Sequence, residues 1–196
     1  MDGGKSLMEV GSYPFSERYG WVQDKFGISW QLFLGQEPKP IRPCMMFANA
    51  IYGKAEEAMT LYTSLFNNST IVFTAPYEAP QTGVMHAVFM LDGQEIIAMD
   101  APGEHAFNFN EGISFVINCD GQEEVDHFRN KLIADGGQES QCGWLKDKYG
   151  FSRQVVPKQL YEYLGGSDAA GSQRAMQAML QMHKLDINVL KQAYEG

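Results

Sequence analysis

The chain has 196 residues, of which 44% are hydrophobic and 12% aromatic, enough for one substantial core and a small second unit. Its net charge of -9 and the lack of any Lys/Arg run exclude a protein that binds nucleic acid or an anionic membrane surface. The chain start does not resemble a secretory signal, no apolar run is long enough for a membrane span, and the three cysteines lack a zinc-site spacing, so we expect a cytoplasmic protein.

Two segments of the chain repeat each other. Residues 20–32 read GWVQDKFGISWQL and residues 143–155 read GWLKDKYGFSRQV, and a DGG tripeptide precedes each segment, at residues 2–4 and 135–137. The first copy carries extra residues, SLMEVGSYPF among them, between the tripeptide and the shared block. Each copy has the pattern of a helix end followed by two strands joined by a turn at DKFG or DKYG.

Over residues 40 to 157, which include the second copy, the pattern predicts the order βαβββ twice. Residues 55–66 and 122–133 are acidic at the start and apolar at helical spacing, which predicts two amphipathic helices. Strand-like segments surround both helices, and Asp92-Gly93 predicts a hairpin. After a Gly/Ser/Ala break at 165–172, a helix is predicted through Met176, Met179, Leu180 and His183, and Asp186 is expected to cap another.

The segments NEGISFVINCDGQEEVDHF, DGG and QCGWLKDKYGFSRQVVP carry a family resemblance. Over about residues 40 to 165 the chain resembles the PhnB-like (demethylubiquinone methyltransferase-like) proteins of the vicinal oxygen chelate superfamily. The resemblance implies an α+β fold, in which paired βαβββ modules form a curved mixed sheet with a cleft (the glyoxalase/bleomycin resistance/dihydroxybiphenyl dioxygenase fold), followed by a helical tail. It predicts three domains: a C-terminal remnant of an upstream module (1–37), a complete module (38–165) and the tail (166–196).

The resemblance also implies where a metal would be held in metal-dependent relatives. The family ending DxxGxxxE aligns with Asp147, Gly150 and Gln154, and Ser114 takes the usual His position of the second module. In the remnant the residue equivalent to Gln154 is Gln31, and the first-module positions fall near Met46 and near Ile97 or Met99. Because none of the four ligand positions (near Met46, near Ile97 or Met99, Ser114 and Gln154) holds a His or a carboxylate, we expect neither a bound metal nor a cofactor.

The cleft implied by the resemblance provides a candidate ligand site. Its residues are Met46, Met99, Ser114, Trp144, Gln154 and His86. For the two methionines and the tryptophan, plain core packing is the alternative interpretation. Ser114 and Gln154 would need partners if buried and could satisfy one another. His86, like His105, His127 and His183, also has a structural interpretation, and His86 is the first to test.

No sequence pattern identifies a catalytic residue. There is no nucleophile elbow, P-loop or Cys/His pairing, and the glycines lie in hairpins rather than in a nucleotide-binding turn, so methyltransferase activity is not expected. The sequence favours a metal-independent small-molecule binding protein whose ligand is unknown. The alternatives are a metal-dependent lyase, isomerase or dioxygenase of the superfamily, and a degenerate structural module without ligand. We expect a homodimer, with residues 1–35 docked on residues 40–157 or on a second chain.

Overall fold

The computed structural model describes residues 2–35 and 41–196. The chain divides into two compact units, residues 1–42 and residues 43–196. The domain limits expected from the sequence, at 37/38 and 165/166, remain predictions. No helix in the described residues has the length and apolar content needed to cross a bilayer.

The first unit is a three-stranded antiparallel sheet in the order β1-β2-β3, with β1 at Lys5–Tyr13, β2 at Ser16–Gln23 and β3 at Ser29–Phe33. The predicted helix end before the shared block is wrong in this copy. The extra residues form β1 instead, because they pair along most of the length of β2. Four aromatic rings pack at one end of the sheet, those of Tyr13, Phe15, Tyr19 and Phe33.

The second unit contains two modules of the predicted order. The first comprises β4 (Cys44–Ala48), α1 (Ala55–Leu65), β5 (Thr70–Pro76), β6 (Val84–Leu91) and β7 (Gln94–Ala101). The second comprises β8 (Ser114–Cys119), α2 (Gln122–Ile133), β9 (Gln138–Glu139), β10 (Trp144–Lys146) and β11 (Ser152–Pro157). The sheets have the orders β4-β7-β6-β5 and β8-β11-β10-β9, and the first and last strands of each module run parallel. The mixed α+β fold and both βαβββ units are confirmed.

The turns form where the sequence predicted them. Asp92 and Gly93 both have positive φ, 48° and 75°, as a two-residue hairpin requires. In the repeated turns, one side-chain oxygen of Asp24 accepts the amides of Phe26 and Ile28, both at 2.9 Å. Asp147 accepts the amides of Tyr149 and Phe151 in the same way, both at 3.0 Å. The sequence repeat is therefore also a repeat of backbone structure.

The core of the second unit joins its two modules. The buried face of α1 packs on β4 and β6, and Tyr149 and Phe151 of the second module belong to the same apolar cluster. On the second sheet, Val125 and Leu132 of α2 pack against Leu145 and Val155. The β10–β11 turn therefore packs into the core of the first module, while the apolar residues around α2 form a separate cluster.

The tail consists of α3 (Gln159–Leu164), α4 (Ala169–Met179) and α5 (Ile187–Glu195). Asp186 caps α5 as predicted, since its carboxylate accepts the amides of Asn188 and Val189. The first predicted tail helix is shorter than expected: α4 ends at Met179, and His183 lies beyond it. Leu160, Leu185 and Leu190 form a buried cluster with Val156, so the tail packs on the end of β11.

Glu57 of α1 also connects the two modules, and its effect on stability should depend on pH. Hydrogen bonds from Lys148, Lys54 and Tyr149, in that order of size, lower the pKa of Glu57 from 4.5 to about 2. A depressed carboxyl pKa stabilises the fold above pH 4.5, and that contribution is lost as the pH falls towards 2. Since 45% of the side chain is exposed, we expect Glu57→Gln to cost about 1 kcal/mol or less at pH 7.

Urea unfolding of Glu57→Gln between pH 2 and pH 7 measures this contribution. The neighbouring Glu56→Gln is the control and should not show the pH-dependent difference. A Glu57→Gln deficit that stays constant across this range would contradict the assignment.

Candidate functional site

The candidate residues of the first module lie in one row on the face of its sheet opposite α1. Met46 and Met99 are register partners on the parallel strands β4 and β7. Their neighbours Met45 and Ala98 point to the other face, where they join the cluster that contains α1. The register of β6 and β7 pairs Ala87 with Ala98, and one residue further on it places His86 beside Met99. Two thioethers and an imidazole thus share this part of the sheet.

The candidate residues of the second module form a second group on its sheet. The amide Nε2 of Gln154 donates to the hydroxyl Oγ of Ser114 at 2.8 Å, and Trp144 is the register partner of Gln154 on β10. The mutual hydrogen bond considered from the sequence therefore exists. It joins the two positions that the resemblance aligned with metal ligands, and it does so with two neutral groups.

A small pocket lies next to this second group. It has a volume of about 150 Å³ and is lined by Glu111, Gln138, Glu139, Ser140, Trp144, Leu145, Lys146 and Ser152. Lys146 forms an ion pair with Glu111 at 2.5 Å, and the hydrogen bond from Lys146 lowers the pKa of Glu111. The hydroxyl of Ser152 is buried and has no hydrogen-bond partner among the described residues. A polar group without a partner in a pocket wall marks a place for a ligand atom or a water molecule.

Sequence reasoning missed Ser152, Glu111 and Lys146 as pocket residues. Ser152 belongs to the repeated block, where Ser29 is its counterpart, but an isolated serine in a strand carries no signal of its own. Glu111 lies in the connection between the modules, and only the tertiary fold brings it to Lys146.

A buried charged cluster at the junction of the modules was also missed. The Arg153 guanidinium lies 4.4 Å from the ring centre of Tyr62 and 4.3 Å from that of Phe151, and it pairs with Asp147 at 3.2 Å. The hydroxyl of Tyr62 donates to Asp147 at 2.7 Å, and burial raises the pKa of Tyr62 well above its ordinary range. Asp147, assigned from sequence to a turn, thus also connects α1 with β11.

The other three histidines contact backbone carbonyls or a neighbouring ring, and Cys119 is buried. A ring nitrogen of His105 lies 3.1 Å from the carbonyl of Pro102, and one of His183 lies 3.2 Å from that of Ser140. His127 packs edge-on against Phe128. Burial raises the pKa of the Cys119 thiol to about 12, so it stays protonated. Residues 2–35 and 41–196 contain no group of three or more His, Cys, Asp or Glu side chains placed to hold a metal ion.

Comparison with known proteins places this geometry in context. A family model described as 3-demethylubiquinone-9 3-methyltransferase matches residues 4–33 and 39–156. Among solved structures, a PhnB protein from Bacillus cereus is 38% identical, with a TM-score of 0.55, over 61% of this chain and 99% of its own. The fosfomycin resistance protein FosX from Mesorhizobium loti is 12% identical, with a TM-score of 0.44, over 67% of this chain and 100% of its own. No curated protein matches the chain.

Proposed function

Because the chain belongs to the 3-demethylubiquinone-9 3-methyltransferase family, the PhnB-like branch of the vicinal oxygen chelate superfamily, we propose that it is a metal-independent small-molecule binding protein. The observation that carries the proposal is the hydrogen bond between Gln154 and Ser114. At positions where the resemblance places chelating side chains, these two neutral groups satisfy each other, whereas divalent metals need deprotonated nitrogen or oxygen donors.

The side chains around this bond indicate the chemistry of the ligand. Trp144 offers an aromatic surface, and Ser152, whose buried hydroxyl has no hydrogen-bond partner among the described residues, lies in the wall of the adjacent pocket. The volume of about 150 Å³ is smaller than that of a drug-sized site and matches a single ring. We therefore assign the site to small uncharged aromatic compounds that carry a hydroxyl or carbonyl group.

Methyl transfer is not part of this proposal, although the family description names it. A nucleotide-type methyl donor is usually held at a glycine-rich turn between a strand and a helix of a parallel sheet. Each sheet of the second unit has one parallel strand pair, and Gly93 and Gly150 lie in turns between antiparallel strands. This topology supports binding rather than methyl-donor chemistry.

The proposal also includes a cytoplasmic homodimer. The cysteines of the described residues are free thiols, which suits a reducing compartment. Strand β5 lies at the edge of the sheet of the first module, and its side chains Ile71, Val72 and Phe73 are exposed. An exposed apolar edge strand is a liability in water, and a contact between subunits would cover it.

Thermal-shift screening with uncharged phenols and quinones tests the binding site, because a ligand that binds only the folded state raises the melting temperature. We expect Gln154→Leu to abolish the shift caused by any hit while the fold is retained. The matched control is Gln31→Leu, which changes the aligned glutamine of the first unit and should keep the shift.

The same screen separates the alternatives. Stabilisation by Mn²⁺ or Zn²⁺ that Gln154→Leu removes would support the metal-dependent class instead. A hit whose shift survives Gln154→Leu would remove that residue from the site, and a screen without any hit would favour a structural module.

A further inference from the structure

The sheet of the first unit has one face that is apolar and exposed. Val22 is the register partner of Trp30, and Gly20 is the partner of Leu32, so Val22, Trp30 and Leu32 share this face. The side chain of Val10 lies over Gly20: a β-carbon added to Gly20 would come within 2.7 Å of the Cγ2 atom of Val10. Leu32 is 50% exposed and Trp30 is 40% exposed. We call Val10, Val22, Trp30 and Leu32 the open face.

In the second unit, the aligned face of the repeated block is covered by helix α2. Leu145 and Val155 align with Val22 and Leu32 in the sequence repeat, and each is 1% exposed. Both belong to the apolar cluster that contains Val125 and Leu132 of α2. Of the two residues aligned with this covered pair, Leu32 is thus exposed and Val22 is half-buried.

Local conformation does not explain this difference. The turns of both copies have the same two hydrogen bonds to an aspartate, and the glycines that end them, Gly27 and Gly150, have similar φ values of 89° and 81°. The other carboxylate oxygen of each aspartate also accepts a hydrogen bond from the side chain at the same aligned position. Trp30 donates to Asp24 at 2.9 Å, and Arg153 donates to Asp147 at 3.2 Å. The turn and the strand pair of the open face are therefore built like their covered counterparts, but in the described residues the sheet of the first unit has neither the covering helix nor a counterpart of β8 beside β3.

We propose that the open face binds an amphipathic helix of the α2 type. The partner helix has apolar side chains spaced like Val125, Phe128 and Leu132, which lie on one side of α2. Burying them on Leu32 and Val22 removes apolar surface of both partners from water. This assignment goes beyond the proposed ligand site, since it concerns a different unit of the chain.

One position of the partner helix must differ from α2. In the second unit, the buried Arg129 of α2 pairs with Glu139 of β9 at 2.9 Å, and Glu139 is the register partner of Leu145. In the first unit the register partner of Val22 is Ser6, which has no charge to offer. An arginine buried there would lose its carboxylate partner, so the partner helix carries a neutral residue at this position.

A synthetic peptide of residues 121–134, stapled into a helix through its exposed positions and labelled with a fluorophore, tests the proposal against the full chain. We expect the R129A peptide to bind about tenfold more tightly than the peptide with arginine, because no buried charge is left unpaired. The L132D peptide should not bind. The chain variant Leu32→Asp should weaken binding of the R129A peptide about tenfold, whereas Val189→Asp, at a similarly exposed site on α5, should not change it.

Three results would overturn the proposal. The first is that none of the peptides binds, and the second is that Leu32→Asp leaves the affinity of the R129A peptide unchanged. The third is that light scattering shows a dimer that Leu32→Asp dissociates, which would assign the open face to contact between two copies of the chain. None of these measurements depends on Gln154, so the ligand site is tested separately.

Discussion

Replacing Asp147 by alanine is expected to lower the free energy of unfolding of the second unit by about 3 to 5 kcal/mol, the largest effect of any single polar substitution considered. Its carboxylate is fully buried and accepts four hydrogen bonds, from the amides of Tyr149 and Phe151, the hydroxyl of Tyr62 and the guanidinium of Arg153. Removing it leaves Arg153 as a buried charge without its anion and leaves two turn amides without an acceptor.

Chemical denaturation followed by circular dichroism at 222 nm measures this effect, because all five α-helices of the described residues lie in the second unit. The repeat supplies a matched control. Asp24→Ala removes the same turn interactions in the first unit, where the aspartate is only half-buried, and should leave the unfolding of the second unit unchanged. A loss below about 1 kcal/mol for Asp147→Ala would show that the Arg153 cluster relaxes without cost.

Replacing Asp100 by alanine should destabilise the second unit by about 3 kcal/mol, because three backbone amides lose their acceptor. One oxygen of this buried carboxylate accepts the amides of Gly53 at 2.8 Å and Ala55 at 3.2 Å, where α1 begins. The other accepts the amide of Val84 at 2.7 Å, at the start of β6. Asp100 thus holds the beginning of α1 against the sheet.

The control for Asp100 is Asp186→Ala, which removes the half-buried cap of α5 and should cost about 1 kcal/mol. Denaturation midpoints of the two variants and of Asp100→Asn measure the difference. Asn keeps one accepting oxygen, so its loss should fall between those of the wild type and Asp100→Ala. Equal losses for Asp100→Ala and Asp186→Ala would contradict the burial argument.

The candidate site shows where prediction from sequence reached its limit. The family resemblance indicated Gln154 and Ser114, and the structure joins them by a hydrogen bond. Ser152, two residues before Gln154, went unnoticed because a serine in a strand is ordinary until its hydroxyl is found buried without a partner. Whether these residues bind a ligand stays a prediction.

The sequence by itself determined the order of strands and helices in the two βαβββ modules, since hydrophobic periods of 2 and of 3.6 residues and the turn residues Asp92-Gly93 and DKYG are local signals. It also determined the repeat, because identical residues in identical turns make the same hydrogen bonds. Only the tertiary structure decided the environments of Asp100, Asp147 and Arg153, whose partners are distant in sequence. The same repeated block is covered in one unit and open in the other, because burial depends on which element packs against a strand and no local pattern records that neighbour.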